Sequence, residues 1–308
     1  MGNPWTGHPF NAANNINGLD GDPITTGFGR SIHTLDIAEI TKVQECYVEK
    51  VIETINDLDN VLYEIGNEHY EESFEWEEHM VRFIKAHESK KRLRHPVGMT
   101  SGGGGADSVT NDQLRSSSAD WISPRERDEQ NSAYKSDPPV PDGTKIILTD
   151  TDHLWGIGGS VGWVWKSFLR GLNPLYMDPY VGLHGMRDPM WERWGELHYR
   201  DHPLHEPIRR NMGYTRLYAE KMELNRAKPT PEVSSSRYCL CDEGHEYLVY
   251  FDEKSLVEVK LRPGRYAVEW LDVNRGAMAA ADKVTSDGSP VKLKPPWDGD
   301  SVVYLSLT

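Results

Sequence analysis

The sequence predicts an α/β chain: the later part of a TIM-type (β/α)8 barrel followed by a C-terminal antiparallel β-sandwich. Three observations predict it. Short apolar runs that end in polar or charged residues alternate with helical or loop stretches, as strands do in parallel β/α architecture. From residue 237 the pattern turns to short alternating runs separated by turn residues. The apolar runs number five, whereas a closed barrel of this type needs eight strands and roughly 250 residues. The expectation is therefore a barrel portion over residues 1–228, lacking an N-terminal segment of roughly 100 or more residues, and a sandwich over 229–308.

Residues 1–33 are rich in Asn, Gly, Asp and Pro without a helical or alternating period, and read as a loop. From Asp36 the apolar residues Ile37, Ile40, Tyr47, Val48, Val51, Ile52, Ile55 and Leu58 recur at helical spacing, with Asp36 and Glu39 placed like a capping box. Residues 60–66 then form a short apolar run that reads as a buried parallel strand delivering Asn67 and Glu68 at its C-terminal end. Ser73 is placed to cap a second helix, acidic in its first turns and basic in its last, as the helix dipole favours. Residues 95–100, 119–123, 145–150 and 173–178 are the further barrel strands, the last two closing on Asp150 and Asp178. The sandwich is read from 237–240, 246–251, 256–261, 266–271 and 301–307.

With 48 acidic against 34 basic residues the chain carries a formal charge of -14. That leaves no basic footprint for phosphates, so nucleic acid is not an expected partner. Nor is a membrane, because no apolar run is long enough to span one. Ten Trp and fourteen Tyr against six Phe suit stacking against sugar rings as well as ordinary packing. Cys46, Cys239 and Cys241 make a poor disulfide framework. No signal peptide opens the chain, so the compartment is undetermined, with a secreted or periplasmic location open to a full-length form.

Several motifs carry a resemblance: His8-Pro9-Phe10 with Asn14-Asn15-Ile16-Asn17-Gly18, Tyr63-Glu64-Ile65-Gly66-Asn67-Glu68, the run from Asp150 to Gly159, and the run from Trp165 to Pro174. The sandwich adds Tyr247-Leu248-Val249-Tyr250 and the stretch from Pro263 to Trp270. Together they resemble a family of bacterial barrel proteins related to apiose-releasing glycosidases, whose C-terminal domain often carries a collagen-binding label. The resemblance implies a glycoside hydrolase of the retaining type acting on a polysaccharide, needing no cofactor and no metal, with a carbohydrate as its partner. It places an Asn-Glu pair at the end of the fourth barrel strand, here Asn67 and Glu68. It places a second carboxylate at the end of the seventh, where this chain offers Asp150 or Asp152 in place of the usual Glu.

Cleaving a glycosidic bond takes a protonated carboxylic acid beside the leaving oxygen and a second carboxylate across the ring, about 5 to 5.5 Å apart for retention. Glu68 and Asp150 fit these roles. Asp152 shares strand parity with Asp150, so both can point into the barrel mouth. A helix cap is the plain alternative for this aspartate pair, and a hard cation held with His153 is another. His69, Tyr70, His153, Trp155 and Asp178 are read as sugar-binding residues beside Asn67. Trp163, Trp165, Trp191 and Trp194 divide between core and stacking platform, His184 follows in a loop over the same face, and the glycine run at 102–105 reads as a flexible rim. The competing expectation is a truncated, non-catalytic carbohydrate-binding or structural remnant.

Overall fold

The computed structural model describes residues 3–101, 108–126, 133–179, 199–252 and 256–308. The glycine run at 102–105, His184, Trp191 and Trp194 lie outside them. The chain divides into two compact units, Met1–Asp128 and Glu129–Thr308.

In the first unit, strands β1 (Tyr63–Glu64), β2 (Val97–Thr100) and β3 (Trp121–Ser123) pair in parallel, Tyr63 opposite Val97 and Gly98 opposite Trp121. The short apolar runs become strands because β2 and β3 are buried at every residue, which a run without polar alternation requires. Gly98 has to be glycine: the Trp121 indole lies across it, and a Cβ there would sit 1.9 Å from a ring carbon. Helices α1 (Ala38–Ile55) and α2 (Phe74–Glu88) follow the expected periodicity. Their caps differ from expectation. The residue preceding α1 is Ile37, without a side-chain cap, and Asp36 instead accepts from the Thr34 hydroxyl at 3.1 Å. Ser73 closes a 3-10 turn (Glu71–Ser73) and makes no cap hydrogen bond to α2. The leading loop wraps Trp5, which forms a small core with Ile32 and Ile40.

In the second unit, β4 (Ile146–Asp150) pairs in parallel with β5 (Asn173–Leu175). Between them lie α4 (Thr151–Trp155) and α5 (Val161–Leu169), and α6 (His205–Lys221) follows later. The short helix α3 (Asn111–Ser116) belongs to the first unit and carries a complete capping box between Thr110 and Gln113. All five barrel strands thus lie within the apolar runs, but β1 is two part-exposed residues where a buried strand over 60–66 was expected, and β5 ends at Leu175, which leaves Asp178 beyond it.

The antiparallel part is larger than expected. Strands β6 (Lys228–Pro229), β7 (Cys239–Asp242), β8 (Glu246–Phe251), β10 (Gly264–Asp272), β11 (Met278–Ser286) and β13 (Ser301–Leu307) form one sheet in the order β11-β10-β13-β8-β7-β6, and β9 (Val257–Lys260) pairs with β12 (Pro290–Leu293). Alternation along β8 divides its side chains between two cores. Tyr247, Val249 and Phe251 join Trp270 and the β9 valines on one face. Leu248 and Tyr250 pack with Trp165 and Leu169 of α5 and Tyr218 of α6 on the other. Trp270 therefore sits between the sheets, whereas Tyr250 points to the helical side. The three cysteines are unbridged. Among the described residues no helix is long and apolar enough to cross a membrane.

Candidate active site

Glu68 and its neighbours belong to the first unit; Asp150, Asp152, His153, Trp155 and Asp178 belong to the second. In the first unit the chain leaves β1 through Gly66 and Asn67, and Glu68 takes a left-handed φ of 56°. For a residue with a Cβ this conformation costs about 1 kcal/mol or more. Asn67 and Glu68 are exposed. His69 turns back over Gly66 so closely that a Cβ on that glycine would meet the imidazole at 2.0 Å. Its Nδ1 lies 2.8 Å from Oε1 of Glu77, whose side chain is fully buried. Burial pushes the Glu77 carboxyl up, and the hydrogen bond with His69 opposes that rise. The His33 ring stands 4.6 Å from His69 and 4.9 Å from Trp76. Burial first, then the neighbouring His69 and His8, bring the His33 pKa down to about 4. Tyr70 is 43% exposed and carries the Arg30 guanidinium 3.7 Å above its ring.

A cavity of about 400 Å³ opens beside this cluster, walled by His33, Gln44, Tyr47, Tyr63, Glu64 and Trp76 together with aliphatic residues of α1 and α2. Its lining does not include Glu68, so it lies apart from the carboxylate at the strand end.

In the second unit β4 stops at Asp150, and Asp152 is already the second residue of α4. Strand parity therefore does not relate the two carboxylates. Asp150 is the N-cap: its Oδ1 accepts the Asp152 backbone N–H at 2.9 Å. Its Oδ2 lies 4.0 Å from Nδ1 of the buried His153. Burial raises the Asp150 carboxyl, while the cap hydrogen bond and His153 pull it down. Trp155, half-buried, meets Trp163 edge to face at 5.7 Å with the Lys135 ammonium 5.3 Å from its ring. Trp163 and Trp165 are core: both are buried, and the Trp165 indole donates to Asn211. Gly158 and Gly159, at φ 151° and 137°, make a turn closed to other residues, with the Gly159 backbone facing Ile208 and Thr151. Asp178 accepts from Arg209 Nε at 2.9 Å to each oxygen and is held in that ion pair. Among the described residues no group of His, Cys, Asp and Glu is arranged to hold a metal ion.

Sequence reasoning missed His33 and Glu77. His33 lay in the unpatterned loop, and Glu77 was read only as an acidic residue in a first helical turn. The one available signal was that Glu77 faces the apolar side of α2, between Trp76 and Met80.

No family model matches the chain, and no curated protein matches it. Solved structures do. A glycoside hydrolase family 5 protein from Bacteroides vulgatus ATCC 8482 superposes with a TM-score of 0.62 at 11% identity over 86% of this chain. A protein named a glycoside hydrolase superposes with a TM-score of 0.54 at 12% identity over 87%. A third structure, from the same Bacteroides strain, gives 0.57 at 12% identity over 87%. The chain spans 66%, 69% and 56% of those three proteins, so the family 5 protein is covered over slightly less than two thirds of its length. At such identities the likeness establishes the fold: a barrel-type β/α arrangement of the kind glycoside hydrolases use, joined to antiparallel sheets.

Proposed function

We propose that this chain carries the later barrel strands and C-terminal sandwich of a retaining glycoside hydrolase acting on a polysaccharide side chain, with Glu68 as general acid and Asp150 as the second carboxylate. The barrel part is taken to run to about residue 228. The observation that carries the reading is Glu68 itself: an exposed carboxylate held in a strained left-handed conformation four residues beyond the C-terminal end of parallel strand β1, on the side where barrel enzymes place their chemistry. The fold shared with glycoside hydrolases supports it. Asn67 would bind a hydroxyl next to the reacting carbon, and His69, Tyr70, His153 and Trp155 would line the sugar. Asp152 is the alternative second carboxylate, and Asp178 is proposed as a further sugar-binding residue. The relation to apiose-releasing glycosidases, and the collagen-binding label of the C-terminal domain, are part of this proposal and rest on motifs alone.

The burial that raises Asp150 runs against a freely ionised nucleophile, so the test must assign roles. It is a glycan panel run on the chain, with Glu68→Gln and Asp150→Gly variants and added azide. A glycosyl azide of opposite anomeric configuration from Asp150→Gly identifies Asp150 as the nucleophile; full turnover in Glu68→Gln refutes the acid assignment.

A second reading has its own observations. Asp150 is used as a helix cap and Asp178 is consumed by Arg209, as in a non-catalytic carbohydrate-binding or structural chain. Glycan binding without turnover would select it.

A further inference from the structure

We infer that Glu77 is a positioning residue: it holds His69 in the tautomer protonated on Nδ1, so that Nε2 stands as an unprotonated acceptor for a sugar hydroxyl beside Glu68. The sugar in this statement rests on the glycosidase reading above; the pairing of Glu77 with His69 rests on geometry alone.

A glutamate with no exposed surface needs a strong reason to be where it is, because an ionised carboxylate removed from water is costly unless it is paired. Glu77 has two such supports. It lies in the first turn of α2, where the helix dipole favours negative charge. It also meets Nδ1 of His69 at 2.8 Å. Burial raises the carboxyl, but where the contact with His69 and the helix N-terminus keep it ionised it can only accept, and the proton of that hydrogen bond then sits on the imidazole. Nδ1–H then donates to Oε1, and in a neutral ring Nε2 keeps its lone pair. The second oxygen, Oε2, is buried without a partner among the described residues. Glu77 is therefore committed to His69 and to no other described group.

The ring is also fixed in orientation. Its Cε1, Nε2 and Nδ1 atoms lie over Gly66, and the His33 and Trp76 rings stand on two further sides at 4.6 and 5.5 Å. His33, whose pKa burial brings down to about 4, is neutral near pH 7 and puts no positive charge beside the ring. The side chain retains 13% exposure, and it follows Glu68 directly in the chain. A carboxylate behind an imidazole that touches substrate is a recurrent way to fix which nitrogen donates.

The test is nitrogen-detected NMR of the full chain labelled at histidine, with His69→Gln for assignment and Glu77→Gln as the probe. The unaltered protein should show a proton on Nδ1 of His69 far downfield. It should be absent in His69→Gln and lost or shifted upfield in Glu77→Gln. On any glycan that the unaltered protein binds, Glu77→Gln should weaken binding about tenfold, the equivalent of one hydrogen bond, through KM rather than kcat. A proton on Nε2 in the unaltered protein, or an unchanged resonance in Glu77→Gln, overturns the inference. Should Glu77→Gln fail to fold, the tautomer of the unaltered protein still decides. If no glycan binds, the glycosidase reading fails separately, and the resonance still decides the pairing.

Discussion

Replacing His33 with Phe tests the electrostatics of the first unit. His33 is partly buried against Trp76, faces the His69 and His8 imidazoles, and shares a cavity wall with Glu64. Its pKa falls from 6.5 to about 4 on folding. A depressed histidine leaves the unfolded chain holding more protons than the native one between those values. The contribution is present in full above pH 6.5 and is lost as pH falls through 4. At about 1.4 kcal/mol per unit the full window is worth about 3 kcal/mol. Phe removes the titration and fills the site with an apolar ring. Urea unfolding followed by tryptophan emission at pH 7 and pH 4, in both proteins, isolates the term: the acid-induced loss should be smaller by up to about 3 kcal/mol in His33→Phe. Equal losses in the two proteins would refute the reasoning, since the carboxylates common to both would then account for all of the acid sensitivity.

Glu68→Gly should raise stability by up to about 1 kcal/mol, by relieving the left-handed strain, while abolishing any turnover; thermal melts beside the glycan assay check both halves. Asp150→Ala removes the α4 cap and should cost about 1 kcal/mol in urea unfolding. Gly98→Ala forces a Cβ into the Trp121 indole and should destabilise by about 1–3 kcal/mol; an unchanged melting temperature would mean the indole is not where we place it. Tyr250→Phe deletes the hydroxyl that donates to Asp300 at 2.8 Å and should cost about 1 kcal/mol, read by chemical denaturation.

Strands β2 and β3 were legible because a strand buried on both sides is a plain apolar run, whereas β1, β4 and β5 are only partly buried. Helix α1 was legible in its period and not in its start, since Asp36 turned to Thr34 instead of to the helix. Strand β11 was missed for a physical reason: as the exposed edge of its sheet, Met278-Ala279-Ala280-Ala281-Asp282-Lys283 has no buried face to impose alternation. At the site, Glu68 was visible from its motif. The reading of Asp152 as a strand residue failed because β4 ends two residues earlier, at the cap. His33 and Glu77 lie 44 positions apart in the sequence, and only the fold brings both against His69.

The two-faced burial of β8 bears on how such chains can be rearranged. A sheet covered on one side by β9 and β12 and on the other by α5 and α6 has no surface ready for water if its helices are taken away. Excised at residue 229, the sandwich would present Leu248, Tyr250, Leu271, Val302 and Tyr304 as a continuous sticky plate. The module that can be transplanted between proteins therefore begins upstream of α5, and a gene fusion that cut at residue 229 would yield an aggregating fragment.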